Sequence, residues 1–143
     1  MPEHKSKMTF DVRSEWISHH ESISFCETSG KIAKIKLDTN LEGTSDAFNP
    51  AELLLAALSA CMIKGIERVA PILKFSYRGV EVKVHGVRQD VPPKLESIEY
   101  QIVVDTDEVD HRLDLLHKNI KQYGTVFNTV IHGTSLSGTI SKK

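Results

Sequence analysis

Cysteine is scarce in this sequence, which has two cysteines among 143 residues, Cys26 and Cys61, 35 positions apart. The pair makes neither the framework of a disulfide-stapled domain nor a CxxC redox motif. The first ten residues also lack the apolar stretch of a secretory signal peptide. We therefore expect a cytoplasmic protein, because thiols stay reduced in that compartment.

An excess of one charge and a long hydrophobic run are lacking as well. The formal net charge is −1 at pH 7, which gives no electrostatic basis for binding nucleic acid or a membrane surface. The apolar run over residues 53–63 is much shorter than the roughly 20 residues that a membrane-spanning helix needs. We expect neither nucleic acid nor membrane among the partners.

Metal and phosphate motifs are also missing. The seven histidines show no HExxH pattern and no paired Cys/His spacing, and no phosphate-binding glycine loop is visible. The sequence therefore predicts no metal site and no cofactor. His111 and His117 lie off the apolar stripe of a predicted helix, and we expect both to be solvated.

What the chain does contain is an ordinary globular composition, with 40% apolar and 26% charged residues. Its length fits one domain over residues 1–143, large enough to bury a core.

The most informative segment is 49–61, NPAELLLAALSAC. Asn49 is a good helix N-cap, Pro50 suits the first helical position, and Glu52 completes an Asn-based capping box. No polar face follows until Lys64, which is typical of a buried helix. The pattern predicts a central buried helix with Cys61 in its middle, ending near Ala70 because Pro71 follows.

The rest of the chain predicts an α+β fold of order βββ-α-ββ-αα-β. Alternating apolar residues predict three strands before the helix, with a turn at Gly30, and a hairpin after it that turns at 91–94. Helical spacing returns over 107–123 and stops at Gly124, which suits a left-handed helix end. Thr125 is the expected cap of a short further helix, and a last strand follows. The strand and stripe residues are Phe10, Val12, Trp16, Ile23, Phe25, Ala33, Ile35, Leu37, Val109, Leu113, Leu116, Ile120, Tyr123, Leu136 and Ile140.

Two segments carry a resemblance to a known family. Residues 49–61 are similar to the pattern (S/N)P-x-E-L-L, a small-residue stretch and Cys that occurs in the OsmC/Ohr family, named for osmotically inducible protein and organic hydroperoxide resistance. Residues 123–129, YGTVFNT, are similar to the family's Y-C-P-V-x-N-T. The resemblance covers about residues 30–141 and implies the OsmC-type fold in an intertwined homodimer.

The chain departs from the family pattern at two positions. The family's second, resolving cysteine falls on Gly124, so the chain resembles a one-cysteine member. Hydroperoxide-reducing members carry a glutamate directly after the proline, where this chain has Ala51 and the acid follows at Glu52.

The resemblance implies a thiol peroxidase for organic hydroperoxides. Cys61 would be the nucleophile that becomes a sulfenic acid, and an external thiol would replace the missing resolving cysteine. Glu52 and Arg13 are the other candidate catalytic residues. The reaction needs a thiolate, and the cations that could stabilise it are Arg13, Lys64 and Arg68, since the dipole effect fades within the first helical turn.

Other interpretations stay open at this point. Cys61 would serve equally as a small buried hydrophobe. Cys26 is either an incidental thiol or a relocated resolving cysteine, for which its Cα must come within about 7 Å of that of Cys61. The alternative function is a non-peroxidase member that binds a small apolar or thiol-reactive ligand, and Ala51 favours it.

Overall fold

The computed structural model describes residues 7–18, 20–28, 31–42 and 46–143. Its contacts divide the chain into two compact units, Met1–Leu53 and Leu54–Lys143. The predicted element order is confirmed. The elements are β1 Val12–Ser18, β2 Glu21–Thr28, β3 Lys31–Asp38, α1 Pro50–Leu73, β4 Gly79–Asp90, β5 Pro93–Asp105, α2 Asp110–Tyr123, α3 Thr125–Val130 and β6 Ser135–Lys142. The single domain over 1–143 stays a prediction.

The first unit holds an antiparallel sheet of order β1-β2-β3. Cys26 pairs in register with Val12 on one side and Ala33 on the other. All seven residues of β1 are exposed, and Trp16 keeps 69% of its surface accessible. The alternation of apolar residues in β1 therefore predicts the strand correctly, although its side chains are exposed, whereas Leu37 of β3 is buried. The predicted turn at Gly30 lies outside the described residues.

Helix α1 begins as the sequence predicts. The Asn49 side-chain oxygen accepts from the Glu52 backbone N–H at 2.8 Å, and the Glu52 carboxylate accepts from the Asn49 N–H at 3.0 Å. Two N–H groups that the first helical turn leaves unsatisfied thereby find reciprocal partners. Because these contacts are local, the capping box could be read from residue spacing alone.

The predicted end of α1 at Ala70 is wrong, because the helix continues to Leu73 with Pro71 inside it. Pro71 falls in the last turn, where its missing N–H removes only one helical hydrogen bond. A Schellman motif ends the helix: Lys74 adopts φ 51°, its N–H donates to the Pro71 carbonyl at 3.3 Å, and Phe75 donates to the Ala70 carbonyl at 2.8 Å.

Within this chain, α1 buries one stripe rather than its whole circumference. The stripe consists of Leu58, Met62, Gly65, Ile66, Val69 and Ala70. Leu54 and Ile72 lie outside it, with 42% and 76% of their surface exposed. The prediction that α1 is buried on all sides therefore holds only for one stripe, and apolar side chains on the rest of the helix remain exposed in this chain.

The second unit surrounds a core shared by α1, β5, α2 and α3. Strands β4 and β5 form the predicted antiparallel hairpin, and β6 adds to β5 in parallel. On α2, Leu113, Leu116 and Ile120 are buried as the spacing predicts, whereas Val109 and Tyr123 at the two ends of the stripe are exposed. In the parts of the chain that the structure describes, no helix combines the length and hydropathy needed to cross a membrane.

Candidate functional site

Cys61 lies half-buried on α1, where the helix packs against the junction of α2 and α3. Two contacts set the direction of this packing: Gly65 lies against Ile120, and Cys61 lies against Gly124. Positions that advance along α1 therefore meet positions that recede along α2, so the two helices run antiparallel. The thiol consequently faces the short connection between α2 and α3.

Gly124 is the residue of this junction that lies against the Cys61 thiol. Its φ of −77° and ψ of 119° are extended, so the left-handed conformation expected from the sequence is wrong. Space is what requires glycine here, because an added Cβ would lie 3.1 Å from Cys61 Sγ and 3.0 Å from Phe127 Cβ. Gly124, to which the sequence resemblance assigns the place of a resolving cysteine, thus lies directly against the Cys61 thiol.

Thr125 does not cap the short helix α3 as expected. Gly124 occupies the capping position without a side-chain hydrogen bond, and Thr125 is the first helical residue. Helix α3 therefore begins after Gly124 without a capping side chain.

Of the candidate cations on α1, Arg68 contacts the junction, at Tyr123. Arg68 lies seven positions after Cys61, about 10 Å along the helix axis. It donates from Nη2 to the Tyr123 carbonyl at 3.0 Å, and its guanidinium lies 5.7 Å from the centre of that ring. Lys64, between the two, is exposed. Cys61 and Arg68 therefore contact consecutive residues of the junction, Gly124 and Tyr123.

Two predicted catalytic residues, Arg13 and Glu52, belong to the first unit. Arg13 pairs with Glu15 and lies 4.6 Å from the centre of the Phe25 ring. Glu52 is held in the capping box with Asn49. Each side chain thus has a structural role in its own unit, and the catalytic roles of Arg13 and Glu52 stay predictions.

Cys26 is exposed on β2 and contributes to an apolar groove on the sheet of the first unit. The groove holds about 240 Å³ and is lined by Val12, Ser24, Phe25, Cys26, Ala33, Lys34, Ile35 and Leu53. A resolving role for Cys26 stays a prediction.

Sequence reasoning missed a partly buried polar pair beside this site. Tyr100 Oη and His117 Nε2 lie 2.7 Å apart, and the Tyr100 ring meets the Phe127 ring edge-on at 6.1 Å. Burial raises the pKa of Tyr100 to about 12. The pKa of His117 is lowered, first by burial and then by the charge of Lys121. The expectation of a solvated His117 is therefore wrong, whereas His111 is exposed as expected.

A sequence signal for this pair existed. His117 follows the buried Leu113 by four positions, which places both on one side of α2. Tyr100 lies between Ile98 and Ile102 in the inward-facing series of β5. Phe127 then connects the pair to the Cys61 site, because it packs against Gly124 as well as Tyr100.

Metal chemistry has no visible support in the described ranges, where no three His, Cys, Asp or Glu side chains gather closely enough to hold an ion. The Cys61 thiol lies against Gly124 and packs against the core of the second unit.

Comparison with known families identifies this arrangement. The OsmC-like protein family matches residues 43–137, which include α1, the hairpin and the α2–α3 junction. The chain belongs to the OsmC-like family. No curated protein sequence matches it.

Solved structures share the OsmC-like fold over nearly the whole chain. An OsmC-like protein from Mycoplasma pneumoniae superposes with a TM-score of 0.86 at 15% identity, covering 96% of this chain and 99% of the other. An organic hydroperoxide resistance protein OsmC from Legionella pneumophila gives 0.69 at 19% identity, with 96% and 99% covered. The organic hydroperoxide resistance protein OhrB of Bacillus subtilis gives 0.63 at 15% identity, with 93% and 98% covered. At these identities the likeness establishes the fold.

The lowered pKa of His117 predicts a pH-dependent contribution to stability. As pH falls below the unfolded-state value of about 6.5, the unfolded chain binds a proton before the folded chain does, so the free energy of unfolding falls. In His117→Gln this component is absent, and the loss of stability between about pH 7 and 5 should be smaller. Urea unfolding across that range measures the difference. His111→Gln, on the same helix and exposed, should keep the wild-type slope; equal slopes in all three proteins would contradict the assignment.

Proposed function

We propose that this OsmC-like protein reduces organic hydroperoxides through Cys61 and uses an external thiol in place of a resolving cysteine. Family membership supports a redox role related to peroxides, and several proteins of the same fold are organic hydroperoxide resistance proteins. The observation that carries the proposal is the contact between Cys61 and Gly124.

This contact has the dimensions of a disulfide site. In a disulfide with an S–S bond of about 2.04 Å, the Cβ of one cysteine lies about 3 Å from the sulfur of the other. A Cβ on Gly124 would lie 3.1 Å from Cys61 Sγ. That separation is too short for an ordinary contact but suits a covalent bridge. The geometry supports a scaffold that retains the family's two-thiol site while one thiol is missing.

The proposed reaction balances in three steps. The Cys61 thiolate attacks one oxygen of ROOH, the O–O bond breaks, and a proton is taken up, giving a sulfenic acid and ROH. A small thiol then attacks the Cys61 sulfur, forming a mixed disulfide and releasing water. A second thiol attacks that disulfide, regenerating Cys61 and releasing the oxidised small-molecule disulfide.

Roles for the neighbouring residues follow from the same proposal. A cation stabilises the thiolate, with Arg13, Lys64 and Arg68 as the candidates, and Glu52 orients that cation. Ala51 stands where hydroperoxide-reducing members have their acid, and Glu52 is engaged at the helix cap. These two facts favour, as second candidate, a protein that binds a small apolar or thiol-reactive ligand without turnover.

We also propose a homodimer working in the reducing cytoplasm. The sheet of the first unit exposes Val12 and Trp16 on one face, and α1 exposes Leu54. Exposed apolar surface of this kind marks an interaction site, and a second copy of the chain is the proposed partner.

Sedimentation equilibrium at micromolar protein should give twice the 16.0 kDa chain mass. Trp16→Glu should shift the equilibrium to monomer, because it buries a charge in the proposed interface. Val91→Glu, which alters an even more exposed apolar residue of the second unit, should remain dimeric. A monomeric wild type would remove the basis for a site shared between two copies.

Peroxide chemistry at Cys61 is tested by mass spectrometry after a limiting dose of cumene hydroperoxide in the presence of a sulfenic-acid trap. The trap should label Cys61 in wild type and in Cys26→Ser, and excess peroxide without trap should yield sulfinic acid. A small thiol added instead should form a mixed disulfide at Cys61. Absence of labelling in a folded protein would favour the binding role, and a Cys26–Cys61 bridge would establish Cys26 as the resolver.

Gly124→Cys should restore an internal resolving thiol. Under peroxide the variant should form a disulfide between positions 61 and 124, and its turnover with a dithiol reductant should exceed that of wild type. Gly124→Ala is the matched control, since it adds the same Cβ without a thiol and should lose stability by about 1–3 kcal/mol through crowding against Phe127. Thermal melting establishes that both variants fold. A folded Gly124→Cys protein that forms no disulfide would show that either the position assigned to the resolving cysteine or the reactivity proposed for Cys61 is wrong.

A further inference from the structure

A second concave feature lies on the same pair of helices, beyond the Cys61 contact. We name it the α1–α2 groove. It encloses about 350 Å³ between the C-terminal halves of α1 and α2, within the range of about 300–1,000 Å³ in which small-molecule sites fall. The groove is lined by Arg68, Val69, Ile72, Leu73, Asn119 and Tyr123.

The α1–α2 groove combines an apolar wall with a single cationic group. Ile72 and Tyr123 are exposed along it, with 76% and 52% of their surface accessible. Arg68 is the charged residue among those that line it. Within the described part of the chain its guanidinium makes one hydrogen bond, from Nη2 to the Tyr123 carbonyl. Four of its five N–H donors are therefore left for a ligand.

The two properties are arranged along an axis. Tyr123 precedes Gly124, which touches Cys61, so the Arg68 end of the groove is the end nearer to the thiol. Ile72 and Leu73 lie a further turn along α1 and form the distant end. A ligand that satisfies both ends has its charge toward the Cys61 junction and its hydrocarbon away from it.

We propose that the α1–α2 groove binds a small amphipathic monocarboxylate, with the carboxylate on Arg68 and the hydrocarbon chain along Val69, Ile72 and Leu73. Guanidinium is suited to a carboxylate because its planar N–H groups match two oxygens at once. Covering the exposed Ile72 supplies the apolar part of the binding. Arg68 is also one of the candidate cations for the Cys61 thiolate, so the two proposals share this residue, but ligand binding in the groove does not need the thiol.

The probe that tests the site is octanoate, titrated calorimetrically into Cys61→Ser protein so that thiol chemistry contributes nothing. We expect saturable binding, about tenfold tighter than that of octanol and of octyltrimethylammonium, which have the same chain without the negative charge. Arg68→Gln should weaken octanoate binding about tenfold. Lys64→Gln, one turn away on the same exposed helix surface, should bind as Cys61→Ser does.

Ile72→Asp is the second variant. Because Ile72 is exposed, the variant should fold, and a thermal melt checks this. It should weaken octanoate binding at least tenfold and leave octyltrimethylammonium binding unweakened. Equal octanoate affinity in Arg68→Gln and Lys64→Gln, or no saturable binding at all, would overturn the proposal. So would conversion of a dimer to monomer by Ile72→Asp in sedimentation, because a second copy would then be the occupant.

Discussion

The packing of α1 against the α2–α3 junction depends on one missing side chain. Gly124 lets the backbone of the junction approach the Cys61 thiol, and Phe127 also lies close to this position. Any Cβ at this position must either displace those neighbours or be covalently joined to the sulfur. The close approach therefore makes position 124 a packing constraint, because a side chain there would meet both the Cys61 sulfur and Phe127.

How far the sequence alone predicts this structure depends on the range of the contacts involved. The capping box of Asn49 and Glu52 and the stripe of α2 arise from residues within four positions of each other, and they were predictable. The end of α1 was not predictable, because the residue in the left-handed conformation there is Lys74, not the glycine or asparagine that usually occupies such a position. The close approach of Gly124 to Cys61 and the partly buried state of His117 beside Tyr100 depend on contacts between residues that are distant in sequence.

The candidate site was predictable in part for the same reason. Family patterns locate Cys61 and the position of Gly124, and the structure adds that the two touch. The patterns give no indication of the Tyr100–His117 pair behind Phe127, because that pair joins β5 to α2. Glu52 is the opposite case: the sequence suggests it as a catalytic residue, and the structure shows it in the capping box of α1.

Side-chain hydrogen bonds hold both ends of α1 and protect its middle from fraying. The capping box holds the first turn, and Arg112 of α2 donates to the carbonyls of Leu73 and Lys74 at the other end. Cys61 is the twelfth of the helix's 24 residues, far from where fraying begins. Brief local opening of α1 therefore does not uncover the sulfur, whereas opening of the six-residue α3 does, since short segments with few buried contacts open at the lowest free-energy cost. The timescale on which reagents reach this thiol is thus set by the mobility of the segment opposite the cysteine.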